Sequence, residues 1–107
     1  MSGGQPAERR LVWVQAGGKL RPGIALRVWE DGTVLVAFVA FGTGTHRPEL
    51  TPEIVPLHSA EAKALDLTKT TYFYANNVCR QRVEDIQWTD RLCPPGLFLR
   101  LRRKVGF

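Results

Sequence analysis

Two cysteines, two histidines and one methionine are all that this 107-residue chain holds of the softer metal-binding and redox-active side chains. Cys79 and Cys93 are too few for a disulfide framework and have no CxxC spacing, so they read as ordinary reduced thiols. His46 and His58 stand apart with no HxxxH or neighbouring cysteine, and no metal or other cofactor is expected. No GxSxG element offers a serine nucleophile. Gly17-Gly18 lacks the spacing of a nucleotide-binding P-loop. No apolar run approaches the ~20 residues of a membrane span. The opening MSGGQP has no basic stretch leading into an apolar one, so no signal peptide is read there. A cytoplasmic protein without membrane contact is the expectation.

What is present points to one small domain. With 44% hydrophobic residues the chain can fill a single core without staples. Residues 1–8, rich in glycine and polar groups, read as a disordered start, and 9–107 as the domain. The net charge is +5, and residues 80–107 carry +4 of it through Arg80, Arg82, Arg91, Arg100, Arg102, Arg103 and Lys104. Such an excess fits a phosphate-rich partner, and it equally fits a solvated helix face.

Short β-prone runs separated by turn residues dominate the pattern. RRLVWV (9–14) reads as a first strand and GIALRVW (23–29) as a second, with Pro22 at its start because proline cannot donate to a ladder. Asp31-Gly32 predicts a tight type I′ hairpin into a long apolar third strand, TVLVAFVAF (33–41). GTGTHRP (42–48) breaks that strand, EIVPL (53–57) reads as a fourth, and TTYFYANNV (70–78) as a fifth. SAEAKALDL (59–67) reads as a helix with Ser59 as N-cap, docked by Leu57, Leu65 and Leu67. The tail is open. Alternation at Leu97, Leu99 and Leu101 suits a strand, whereas Leu97, Phe98, Leu101 and Val105 share one helical face with Pro95 in a first-turn position. Together these elements indicate a small curled sheet or barrel.

A chemistry needing neither metal nor protein nucleophile is compatible with these residues. RNA cleavage qualifies, because the 2′-hydroxyl is the substrate's own nucleophile. The protein then has to manage protons and neutralise charge on the phosphate, for which a guanidinium fork is well shaped. Counting outward from the Asp31-Gly32 turn places residue 23 near 40 and residue 21 near 42. Arg21 and Thr43 are thus expected as neighbours at one sheet end.

The same residues carry a resemblance. KLRP opening an apolar strand, FGTGT after the third strand, LTKTTYF leading the fifth and DRLCPPGLFLRL in the tail together resemble the PemK/MazF family of toxins from bacterial toxin–antitoxin modules, over roughly residues 9–105. The resemblance implies a mainly β fold: an SH3-like small barrel of five to six strands with one short helix and a C-terminal helix. It further implies a homodimer and a metal-independent endoribonuclease (an mRNA interferase that inhibits translation) acting on single-stranded RNA, neutralised by a cognate antitoxin peptide. Carried onto this chain, Arg21 would act on the transition-state phosphate and in proton transfer, with Thr43 its nearby hydroxyl. Lys19, Thr45, His46 and Arg47 would contact substrate. Two departures stand out: Gly23-Ile24-Ala25 replaces a Val/Leu-rich strand start, and the GTGT loop leaves the choice between Thr43 and Thr45 open.

Plainer roles compete at each position. Arg21 could pair with a nearby acid, and Thr43 and Thr45 could satisfy turn backbone. Trp13, Trp29 and Trp88 read first as core or interface anchors, and as base-stacking platforms second. Arg100, Arg102 and Arg103 read as a solvated face or an RNA groove. A catalytically silent SH3-like module binding a protein or nucleic acid, encoded by a mobile element, is the alternative function.

Overall fold

The computed structural model describes residues 6–38, 40–41 and 52–106. Among these residues, eight strands, two α-helices and a 3₁₀ turn follow in the order β1 (Arg10–Ala16), β2 (Lys19–Val28), β3 (Thr33–Phe38), β4 (Ala40–Phe41), β5 (Glu53–Val55), α1 (Ala60–Ala64), β6 (Thr71–Phe73), β7 (Val78–Arg82), the 3₁₀ turn Val83–Asp85, β8 (Ile86–Leu92) and α2 (Pro95–Lys104). The strands form a five-stranded sheet, β7-β3-β2-β1-β8, and a three-stranded one, β4-β6-β5, with every pairing antiparallel. The mainly β fold with a short helix and a C-terminal helix is therefore as expected.

The main sheet buries both faces, which is why its central strands read as nearly unbroken apolar runs. On one face Val12, Val14, Ala25, Val34, Val36, Phe38, Ile86 and Trp88 form a core cluster whose buried members, among the described residues, all come from the sheet's own strands. A sheet that buries a face against itself must curl. The other face, through Leu11, Ile24, Leu26 and Ala37, packs on Leu97, Phe98 and Leu101 of α2, on Ala62 and Leu65 from α1 and its C-terminus, and on Val55 and Phe73.

Several expectations are corrected in detail. Eight strands replace five or six, because the 33–41 run divides between two sheets and residues 78–92 supply β7 and β8, which the aliphatic pattern hid. The Asp31-Gly32 hairpin exists, but it is not type I′: Gly32 has φ 85° while Asp31 stays outside the left-handed region. Gly32 N–H donates to Trp29 O and Trp29 N–H to Thr33 O, so the connection spans 29–32. That longer turn and an irregularity between Ala25 and Arg27 shift the register, so Gly23 faces Phe38 rather than residue 40.

β2 also starts earlier than expected and contains Pro22, whose partner on β1 is Trp13. The alternation of hydrogen-bonded pairs counted from Ala16–Lys19 turns the N position of Pro22 away from β1, and the described β2–β3 pairing stops at Gly23. The proline therefore costs no ladder bond.

The helices follow their signals closely. Ser59 caps α1, its hydroxyl accepting from Ala62 N–H at 3.1 Å. Leu65 is buried and Leu67 packs on the core, but Leu57 remains 37% exposed and does not dock the helix. In α2, Pro95 occupies the first turn and the face Leu97–Phe98–Leu101 is buried, with Val105 against it. The helical alternative for the tail is the one realised.

Candidate nucleic-acid interface

Arg21 is placed by the β1–β2 hairpin. Gly17 (φ 60°) and Gly18 (φ 78°) both take left-handed angles, and Ala16 pairs with Lys19 across them. This is the two-residue turn that adjacent glycines allow, so residues 15–21 form a tight hairpin. Arg21 faces Val14 in the ladder and so shares the face of the self-packed core, but near the turn it is exposed. Its Nε donates to the Ala16 carbonyl at 3.2 Å. A methyl at Gly17 would come within 3.9 Å of Nη2, so the guanidinium lies along the turn. With Nε held, the two terminal nitrogens are left to meet phosphate oxygens.

Gly23 fixes the distance between β2 and β3 two residues further on. A Cβ there would meet Val36 Cγ1 at 2.5 Å and Ala37 O at 2.8 Å, so only glycine fits without a shift. The departure from a Val/Leu-rich strand start thus has a packing cause.

Lys19 is exposed at the end of the turn, beside Arg21. Among the described residues no carboxylate pairs with either cation, so Arg21 does not take the plainer role of an ion-pair partner there. Thr43, Thr45, His46 and Arg47 lie outside the described residues. Ala40 and Phe41, the last described residues before them, pair with Tyr72 and Thr71 of β6.

The basic C-terminal quarter, which dominates the charge count, is largely spent inside the molecule. Arg100 is gripped by Glu61 at 2.7 Å and Glu53 at 3.3 Å, which raise its pKa and tie α2 to α1 and β5. Arg102 pairs with Glu8 at 3.3 Å, and Arg91 donates to Ala64 O. Arg82 pairs with Glu84. Arg80 pairs with Asp31 at 3.1 Å and stacks 4.0 Å over the Trp29 ring. Hydrogen bonds from Thr33, then the Arg80 charge, hold the Asp31 carboxyl below its usual value. Arg100 and Arg102 thus fasten α2 to the rest of the molecule, while Arg103 on the same helix is exposed. Apart from Arg82–Glu84, these pairs join residues far apart in sequence, and a charge count along the chain does not register them.

The β1–β2 segment is different in kind. Residues 9–29 contain Arg9, Arg10, Lys19, Arg21 and Arg27 and no acid. Trp13, on the face opposite Arg21, is 37% exposed, whereas Trp88 is buried and donates to Val83 O. Among the described residues no three His, Cys, Asp or Glu side chains gather to hold a metal ion. Within the same residues no helix is long and apolar enough to cross a membrane. Burial pushes the Cys93 thiol up to about 12 and raises that of Cys79, so neither is a ready nucleophile.

No family model matches the sequence, and no curated protein matches it in sequence. In structure, the chain is similar to one in the crystal structure of MazE–MazF (Form-II) from Deinococcus radiodurans, with a TM-score of 0.64 at 18% identity, over 94% of this chain and 91% of that one. The architecture described above is thus a MazF-like fold.

Proposed function

We propose that the protein is the toxin of a toxin–antitoxin pair and a metal-independent endoribonuclease acting on single-stranded RNA. The observation that carries this is Arg21: an exposed guanidinium, held at Nε by the Ala16 carbonyl and unpaired by any described carboxylate, on a MazF-like fold. In the reaction the 2′-hydroxyl oxygen attacks the adjacent phosphorus and the bond to the 5′-oxygen breaks. One proton leaves the 2′-hydroxyl and one reaches the 5′-oxygen, giving a cyclic phosphate and a 5′-hydroxyl end. Arg21 meets the charge that builds on the phosphate oxygens and takes part in the proton transfers, with Thr43 as a neighbouring hydroxyl donor. Lys19, Thr45, His46 and Arg47 contact the substrate backbone. The active form is a homodimer in the cytoplasm, and an antitoxin peptide silences it, as the partnership in the MazE–MazF structure supports.

The test is incubation of labelled RNA with the purified protein in EDTA. Cleavage is expected, falling about 10²–10³-fold in Arg21→Ala, the scale of losing one transition-state donor. Because Arg21 is exposed, the variant should keep the wild-type circular dichroism. RNA left intact across varied sequences, with growth unaffected by expression, would overturn the proposal.

A further inference from the structure

We infer that the outer face of the β1–β2 hairpin is a stacking platform for single-stranded RNA, with Trp13 as the side chain that meets a base. The inference rests on the RNA reading above but does not require cleavage. Trp13 belongs to β1, an interior strand flanked by β2 and β8, yet it is 37% exposed. Its cross-strand partner is Pro22, and Leu20, 43% exposed, is the diagonal neighbour on the same face. One pair further along, Leu11 and Ile24 carry that face into the core under α2. The helix therefore covers one end of the face and leaves the turn end, with its indole, open to solvent.

Charge selects the occupant. Five cations and no acid between residues 9 and 29 would set two copies of this hairpin against each other, and they favour an anion. A pleated sheet face gives a flat surface rather than a groove for a helix. A ring on such a surface suits the π-face of an unpaired base, while the hairpin's net positive charge draws the phosphates. Trp13 lies three residues from the turn, about 10 Å along the strand, and Lys19 and Arg21 share the opposite face. A single strand bent over the Gly17-Gly18 turn can meet the guanidinium on one side and the indole on the other.

The experiment is a fluorescence-anisotropy titration with a short labelled 2′-O-methyl oligoribonucleotide, which cannot be cut by its own hydroxyl, at several salt concentrations. Trp13→Leu keeps apolar bulk and removes the π-face; affinity should fall about tenfold with the salt slope unchanged. Trp13→Phe should bind within about threefold of wild type. Arg21→Ala should flatten the salt slope by roughly 0.7 for each phosphate the variant no longer neutralises. Wild-type affinity in Trp13→Leu, or no binding by the wild type, would overturn the platform. So would a Trp13-dependent dimer in sedimentation with RNA affinity unchanged, or Trp13-dependent capture of an acidic leucine-containing peptide with RNA affinity unchanged. An all-ribose oligonucleotide in EDTA separates the two readings. No cleavage with binding sensitive to Trp13→Leu retires the nuclease and supports the platform; cleavage with insensitive binding retires the platform alone.

Discussion

A methyl group at residue 23 would stand 2.5 Å from Val36 Cγ1 and 2.8 Å from the Ala37 carbonyl oxygen, and backbone cannot step aside as a flexible side chain can. Gly23→Ala is expected to destabilise the protein by about 1–3 kcal/mol, read as a lower urea midpoint. Because the displaced strand segment also carries Arg21, catalytic turnover should fall in the same variant. Asp31 makes a second prediction at this scale. Its carboxyl is held below the ordinary 3.8 by Thr33 and Arg80, so its contribution is present above that value and lost as pH falls through the lower native one. An acid titration followed at the Trp29 indole by NMR should show the Arg80 stack loosening below about pH 4, and Asp31→Asn should abolish that step.

Single elements depend on one face or one cap. Leu101 of α2 is 2% exposed within the cluster that also holds Ile24 and Val55, so Leu101→Ala should cost about 2–5 kcal/mol in denaturant unfolding. α1 has only five residues and relies on its cap, and Ser59→Ala should cost about 1 kcal/mol through the missing bond to Ala62 N–H. α1 was legible through Ser59, whereas the tail was open between strand and helix, because Leu97, Leu99 and Leu101 also alternate; burial of Leu97, Phe98 and Leu101 on the sheet chose the helix. β7 and β8 were not legible. Their edge strands, VCRQR and IQWTDRL, mix exposed polar residues with few aliphatics, and edges need only one good face. The same limit hid the register of β2 against β3, because a turn of four residues and a β-irregularity are decided by hydrogen bonds rather than by the Asp-Gly pair alone.

At the scale of the molecule, one sheet separates two cores, and Cys93 lies wholly inside the one under α2. Burial raises its thiol from 9.0 to about 12, so the native state keeps it protonated. Its contribution is full below pH 9 and is lost as the unfolded thiol ionises above it. Thiol labelling should therefore modify Cys79, which is only half-buried, while Cys93 reacts at the rate of global unfolding. Cys93 labelling as fast as that of Cys79 would show that α2 opens on its own.

By itself the sequence determined the β-rich class, the presence of a hairpin at Asp31-Gly32 and the Ser59-capped helix, because each depends on neighbours along the chain. Tertiary structure decided which charges are available. It paired Arg80, Arg100 and Arg102 with acids 39 to 94 positions away and left Lys19 and Arg21 without a described carboxylate. It also decided that Trp13 faces solvent while Trp88 does not: α2 stops short of Trp13 on one face of the sheet, and Trp88 is enclosed by Val12, Val14 and Ile86 on the other, which no local pattern encodes.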